Sequence, residues 1–311
     1  MKKIICLTLA MVLALSLVAC SSTSSSAPAS SAAPASSQES VPAASSEAAS
    51  SEAAAEPTAA YVELAEDLGA EKYGIGFRKE DVALGLAVQE QLDAMIADGT
   101  AAEISNKWFG TDALLKDEDY LKESAAPEGD QSLQKVLDAG KMIVGLDDSY
   151  PPMGFRDDSN EIVGFDIDLA KEVASRLGIE VEFQPIDWDS KELELNSGKI
   201  DCIWNGMSIT DERVENMFFA KPYIANQQIV VVPAASGIET IDDIVGKKIG
   251  LQKGSSSLDA LMASPVYEQV KDDVTEYPDN VAAYMDLQAG RIDVFVVDSV
   301  VGRYILSQNQ E

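Results

Sequence analysis

Histidine is absent from all 311 residues. That removes Ser-His and Cys-His nucleophile pairs, histidine general bases and most zinc sites. Cysteine is scarce, at three. Cys6 and Cys20 lie in the N-terminal segment, and with Cys20 committed to processing no intrachain disulfide is expected. Cys202, flanked by Ile200, Ile203 and Trp204, reads as a buried strand thiol; a nucleophile with no histidine to activate it is the lesser alternative. Basic residues are few: 23 Lys and Arg stand against 53 Asp and Glu, a formal net charge of −30. Such a surface repels nucleic acid and anionic lipid, so neither is an expected partner. It does not constrain a small ligand, whose site is local. Apolar runs are short. Leu7 to Val18 falls below the roughly 20 residues that span a bilayer.

What is present begins with a leader. Met1-Lys2-Lys3 followed by that apolar run reads as a secretory signal. Leu17-Val18-Ala19-Cys20 resembles the lipobox of bacterial lipoproteins, making residues 1–20 the leader and Cys20 the expected lipidation site; ordinary cleavage is the alternative. Residues 21–60 are nearly all Ser, Ala, Pro and Glu and read as a disordered tether with a reach on the order of 35 Å. The expectation is an extracytoplasmic chain, lipid-anchored at the outer face of the cell membrane.

The remainder is long enough for two domains, and 46% hydrophobic residues supply their cores. Residues 73–79 read as a strand, 81–98 as a helix with Leu84, Val88, Leu92, Met95 and Ile96 on one face, and 101–109 as a second helix. Residues 113–131 are charged and irregular and read as a linker. From Ser132 onward helix and strand alternate, which predicts an α/β fold with a mostly parallel sheet. Strands are expected at 142–146, 181–184, 200–204, 228–233, 248–251, 274–277 and 292–297. Two patterns recur in order. Gly140 to Leu146 matches Gly246 to Leu251, and Gly198-Lys199-Ile200-Asp201 matches Gly290-Arg291-Ile292-Asp293. Two similar lobes follow, with polar groups beyond their strand ends, where open parallel sheets bind ligands.

The stretch Trp204 to Ile224 organises the rest. It is expected to end a strand, turn at Asn205-Gly206, and start a helix at Thr210 or Asp211. Arg213 would then present a guanidinium fork beside free N–H groups, suited to a carboxylate; the plain alternative is a surface pair with Asp211, Glu212 or Glu215. Strand ends of the first lobe also offer Asp147, Tyr150, Trp188, Asn205, Gly206 and Ser208. The second lobe offers Ser255, Ser256 and Ser257 at a helix start, suited to an anion, and Asp298, suited to an ammonium. Tyr150 and Trp188 could clamp a ligand between their faces or simply fill the core. Ser256, Ser257 and Asp298 could merely cap helices.

The motifs GLDDSYPPMGF, GFDIDLAKEV, IDWDS, GKIDCIWNGMSITDERVENMFFAKPY, GLQKGSSS and AGRIDVFVVDS in residues 132–311 resemble the polar amino-acid-binding proteins of bacterial ABC importers. YGIGFRKED and LDAMIADGTAAEISNKWFG in residues 61–112 resemble the segment that normally ends those proteins. The resemblance implies a two-lobed periplasmic-binding-protein type II (Venus flytrap) α/β fold with a hinge, here circularly permuted, with 113–131 bridging the usual termini. Lobe 1 would comprise residues 73–225, and lobe 2 residues 61–72 and 226–311 with the hinge segments. By position, Arg213 matches the arginine that pairs with the ligand α-carboxylate, and Asp298 the α-ammonium partner. Gly206, Ser208 and Ser256 match residues that bond those two groups, Tyr150 and Trp188 the aromatic clamp, and Asp147 a side-chain-reading acid. Asn205 and Trp204 depart from the small residues some members carry. The implied protein is a monomeric, non-enzymatic, cofactor-free receptor for a polar or basic amino acid that serves importer permease subunits. A prephenate or arogenate dehydratase-like enzyme on the same fold, and a sensing lipoprotein without a transport role, are the alternatives.

Overall fold

The computed structural model describes residues 60–116 and 123–308. The expected leader, the lipidation site at Cys20, the tether through residue 59, residues 117–122 of the bridging segment and residues 309–311 lie outside the described residues. In chain order the elements are β1 (Tyr61–Glu63), β2 (Ala70–Arg78), α1 (Val82–Asp98), α2 (Thr100–Phe109), α3 (Ser132–Ala139), β3 (Lys141–Leu146), β4 (Ser149–Tyr150), β5 (Gly154–Arg156), β6 (Ile162–Val163), α4 (Phe165–Leu177), β7 (Glu180–Pro185), α5 (Lys191–Asn196), β8 (Cys202–Ser208), α6 (Asp211–Asn216), β9 (Met217–Phe219), β10 (Ile224–Pro233), β11 (Ile249–Gln252), α7 (Ser256–Ala263), α8 (Tyr267–Val270), β12 (Val274–Tyr277), α9 (Asn280–Gln288), β13 (Val294–Asp298) and α10 (Ser299–Gln308). Among the described residues no helix is long and apolar enough to cross a membrane.

The sequence repeat is a structural repeat. In one lobe β3 lies parallel between β7 and β8; in the other β11 lies parallel between β12 and β13. Asp201 closes the first unit: its N–H donates to the Ile143 carbonyl at 2.7 Å, and its carboxylate accepts the Ile143 N–H at 2.8 Å. Asp293 does the same to Lys248, at 2.8 and 3.0 Å. A β-carbon on Gly145 would fall 2.4 Å from Ile200 Cδ1, and one on Gly250 2.4 Å from Ile292 Cδ1. In each lobe, then, a strand glycine leaves the hole that an isoleucine fills.

Two antiparallel strands join the lobes. β2 pairs with β8 and β10 with β13, and the two pair with each other over 70–73 and 224–227. The sheet runs β12-β11-β13-β10-β2-β8-β3-β7, with β1 added on β10 and β9 on β2. The expectation of a mostly parallel sheet therefore holds for each three-stranded core and not for the crossing strands. Helices α1 and α2 pack with α3 and α4 on the first lobe, burying Leu84, Val88, Leu92 and Met95 on the predicted face. Asp130 ties the starts of α1 and α3: its carboxylate accepts the Ala83 N–H at 2.7 Å and the Ser132 N–H at 2.8 Å.

Two local expectations fail. Asn205-Gly206 is not a turn. β8 continues to Ser208, and Gly206, at φ +58°, lies where the β2–β8 register shifts. Long-range pairing with β2 overrides a dipeptide that favours turns. Nor do Ser256 and Ser257 cap the helix that follows: it starts at Ser256, and Ser255 supplies its cap by accepting the Ser257 N–H. The hydroxyls of Ser256 and Ser257 are thereby freed for other partners.

Candidate functional site

Eight of the eleven expected residues line one small cavity between the lobes: Tyr150, Trp188, Gly206, Ser208, Arg213, Ser255, Ser256 and Asp298, together with Gln252. The lobes are closed on it and leave about 10 Å³, close to the room one water needs. Asp147 and Asn205 stand behind the cavity wall. The Asp147 N–H donates to Asn205 Oδ1 at 3.0 Å, so Asn205 braces the loop that carries Asp147.

At one end sits Arg213, only 6% exposed. Thr210 caps the helix that carries it, accepting the Arg213 N–H at 3.3 Å. The guanidinium donates to the Ser208 carbonyl at 2.8 Å and across the gap to the Gly254 carbonyl at 3.2 Å. This excludes the surface pairing with Asp211, Glu212 or Glu215. Burial pulls its pKa below the ordinary arginine value, only partly countered by Glu71, Asp259, Asp298 and Glu192, none of which forms an ion pair with it among the described residues.

At the other end Asp298, on β13, accepts from Tyr73 Oη at 2.9 Å and from Asn226 at 2.6 Å. Burial, then the nearby Glu71 carboxylate, raises its pKa to about 6. Asn226 also donates to Glu71 at 3.0 Å, as do Gln228 at 2.9 Å and the Ser208 hydroxyl at 2.7 Å. Two carboxylates thus share a half-dry wall, both accepting from the Asn226 amide, a wall suited to an ammonium.

Tyr150 Oη lies 3.0 Å from Tyr73 Oη, and its ring approaches Gly206, where a β-carbon would fall 2.8 Å from it. Glycine at 206 therefore allows both the positive φ and the close ring. Its N–H donates to Asp166 at 2.8 Å, and Tyr223 Oη donates to the same carboxylate oxygen at 2.9 Å. Burial raises the Asp166 pKa to about 7.

Polar contacts also cross between the lobes. Asp147, held by Ser149, accepts from Gln252 at 2.7 Å, and Gln252 accepts from Asn280 at 2.9 Å. The Ser256 hydroxyl donates to that of Ser208 at 3.1 Å, and Lys253 pairs with Asp189 at 2.9 Å. Ser256 is not a cap, and Asp298 spends its carboxylate on side chains. Sequence reasoning missed Glu71, Tyr73, Asn226 and Gln228, which lie on the crossing strands, and Gln252 and Lys191, which face across the gap.

A hinged pair of lobes closing on a polar cavity, with a cation at one end and acids at the other, defines a solute-binding protein. Residues 142–285 match the bacterial extracellular solute-binding proteins, family 3. The L-cystine-binding protein TcyJ of Escherichia coli (strain K12) is 35% identical over 191 residues, covering 60% of this chain and 69% of the relative. A substrate-binding protein of an ABC uptake transporter from Streptococcus pneumoniae, solved with bound histidine, is 41% identical. It covers 58% of this chain and 75% of its own, with a TM-score of 0.55. The arginine-bound, truncated ArgBP of T. maritima is 35% identical over 57% of this chain and 82% of its own, with a TM-score of 0.53. The chain belongs to the bacterial extracellular solute-binding proteins, family 3. The relatives named are binding proteins.

Proposed function

We propose that the protein captures one polar or basic amino acid between its lobes and presents it, closed, to the permease subunits of an ABC importer. Arg213 takes the α-carboxylate and Asp298 the α-ammonium. Gly206, Ser208 and Ser256 bond the same groups, Tyr150 and Trp188 enclose the aliphatic part, and Asp147, braced by Asn205, reads the side chain. One observation carries the reading: a buried guanidinium on one lobe and a buried carboxylate on the other face a single cavity. A zwitterion bridges them only when the lobes meet, so it shifts the hinge toward closure. The ligands of the relatives, cystine, histidine and arginine, support the class.

The role calls for no catalysis and no cofactor. Acylation at Cys20 would hold a monomeric receptor at the outer face of the membrane. The rotated order of family segments is part of the same reading, supported by the packing of α1 and α2 on the lobe built by α3 to β8.

A thermal-shift screen against the twenty amino acids, followed by calorimetry, tests the function. Saturable binding of a polar or basic amino acid is expected. Binding of none, or turnover of prephenate or arogenate, would overturn it.

A further inference from the structure

Lys191, at the start of α5, is only 5% exposed, and no carboxylate lies within ion-pair distance of it among the described residues. Its ammonium donates to the Gly254 carbonyl at 2.8 Å and the Trp188 carbonyl at 3.2 Å, and sits 5.2 Å from the centre of the Trp188 ring. Arg213 donates to that same Gly254 oxygen at 3.2 Å. Since both reach one atom, the two cationic nitrogens stand at most about 6 Å apart, near enough to repel in a dry site.

Glu71 and Asp298 act on Arg213 from the far end of the cavity, and among the described residues no acid reaches either cation as an ion pair. Asp189 and Asp259 are exposed, Glu192 is half-buried on the helix of Lys191, and Asp189 is already paired with Lys253 at 2.9 Å. Burial, then Arg213, pulls the Lys191 pKa down to about 8. Two buried positive charges converging on one neutral carbonyl are poorly matched by that oxygen alone. A ligand carboxylate brought to Arg213 supplies the negative charge that both cations lack, touching the guanidinium and feeling the ammonium through the Gly254 loop.

We propose that Lys191 is a second cation for the acid end of the ligand. It acts from behind the Gly254 loop, adding positive potential at Arg213 while fixing the loop that closes over it. It lines no part of the cavity and is a positioning residue. The proposal rests on the carboxylate reading of Arg213. It adds that the site discriminates for an anionic group by two charges, one of which can be removed by pH.

The sign follows from the protonated form being the useful one. Affinity is full below the Lys191 pKa and falls as pH rises through about 8. A residue that merely latches the lobes would not behave so, because a neutral amine still donates to the Gly254 carbonyl.

The test is calorimetry with L-arginine and with L-histidine at pH 7, 8 and 9, on wild type, Lys191→Met and Lys191→Arg. Lys191→Met should bind roughly tenfold more weakly at pH 7. Its affinity should then change less between pH 7 and 9 than that of wild type. Lys191→Arg should keep affinity at pH 7 and hold it better at pH 9. Parallel pH profiles for wild type and Lys191→Met, or equal affinities at pH 7, would overturn the assignment and leave the amino-acid reading standing. Failure of wild type to bind these two or any other of the twenty amino acids at any pH would overturn the carboxylate reading, and this proposal with it.

Discussion

Gly254→Ala separates closure from folding. Gly254 sits at φ +68°, and a β-carbon there would fall 2.9 Å from Asp189 Cα and 3.4 Å from Asp189 N, backbone of the opposite lobe. Carbon atoms pack at about 3.5–4.0 Å, so the lobes must back off by at least about 0.5 Å. That retreat stretches the bonds from Lys191 and Arg213 to the Gly254 carbonyl, now 2.8 and 3.2 Å. A hydrogen bond to a charged group is worth about 1.5–3 kcal/mol, and losing the equivalent of one weakens binding roughly 10- to 150-fold. The left-handed backbone adds about 1 kcal/mol of strain that is present whether the lobes are open or closed. Gly246→Ala is the control. Gly246 has φ +74° with nothing within 4 Å of its β-carbon position, so it carries the strain without the collision. Both variants should lose about 2–4 °C in Tm, and only Gly254→Ala should lose affinity by calorimetry. Equal affinities for the two variants would refute the idea that this loop meets the Asp189 turn when the ligand is held.

Other outcomes follow from the same geometry. Arg213→Ala removes one partner of a buried charged contact, worth about 2–5 kcal/mol, and should weaken amino-acid binding at least 30-fold by calorimetry. Affinity should also fall as pH drops through about 6, where Asp298 takes up a proton and ceases to hold an ammonium; Asp298→Asn should be weak throughout and insensitive over that range. Asp166 has its pKa raised to about 7 by burial, so its ionisation costs the folded state stability above that pH and costs nothing below the ordinary aspartate range. The Tm of Asp166→Asn relative to wild type should therefore rise between pH 5 and pH 8 in differential scanning calorimetry. A constant difference would mean that Asp166 does not titrate there.

The lobes were legible because each repeats a short grammar: a glycine before a strand, a glycine within it, and a Gly-basic-Ile-Asp that returns to close the unit. Strand ends and the helix starts just beyond them carry Tyr150, Ser208, Arg213, Ser256 and Asp298, which line the cavity. The hinge wall was not legible. Asn226 and Gln228 sit on β10, whose apolar run dominated the reading, and they are buried only because β10 crosses between lobes and pairs with both β13 and β2. Glu71 stands in a short mixed stretch with no periodicity to single it out, yet the Ser208 hydroxyl, Asn226 and Gln228 all donate to it. Asn205-Gly206 carries a local turn signal that loses to β2 pairing and to the Asp166 peg on the Gly206 N–H. Lys191 lies in a run of charged residues and reads as a solvated helix face; only the approach of the Gly254 loop from the other lobe buries it.

The most direct measurement is a crystal structure with the amino acid that raises Tm most. The ligand carboxylate should lie within hydrogen-bond distance of the Arg213 guanidinium, its ammonium within reach of Asp298, and both lobes should touch it. A ligand bound through both end groups to one lobe, or away from this cavity, would contradict the account.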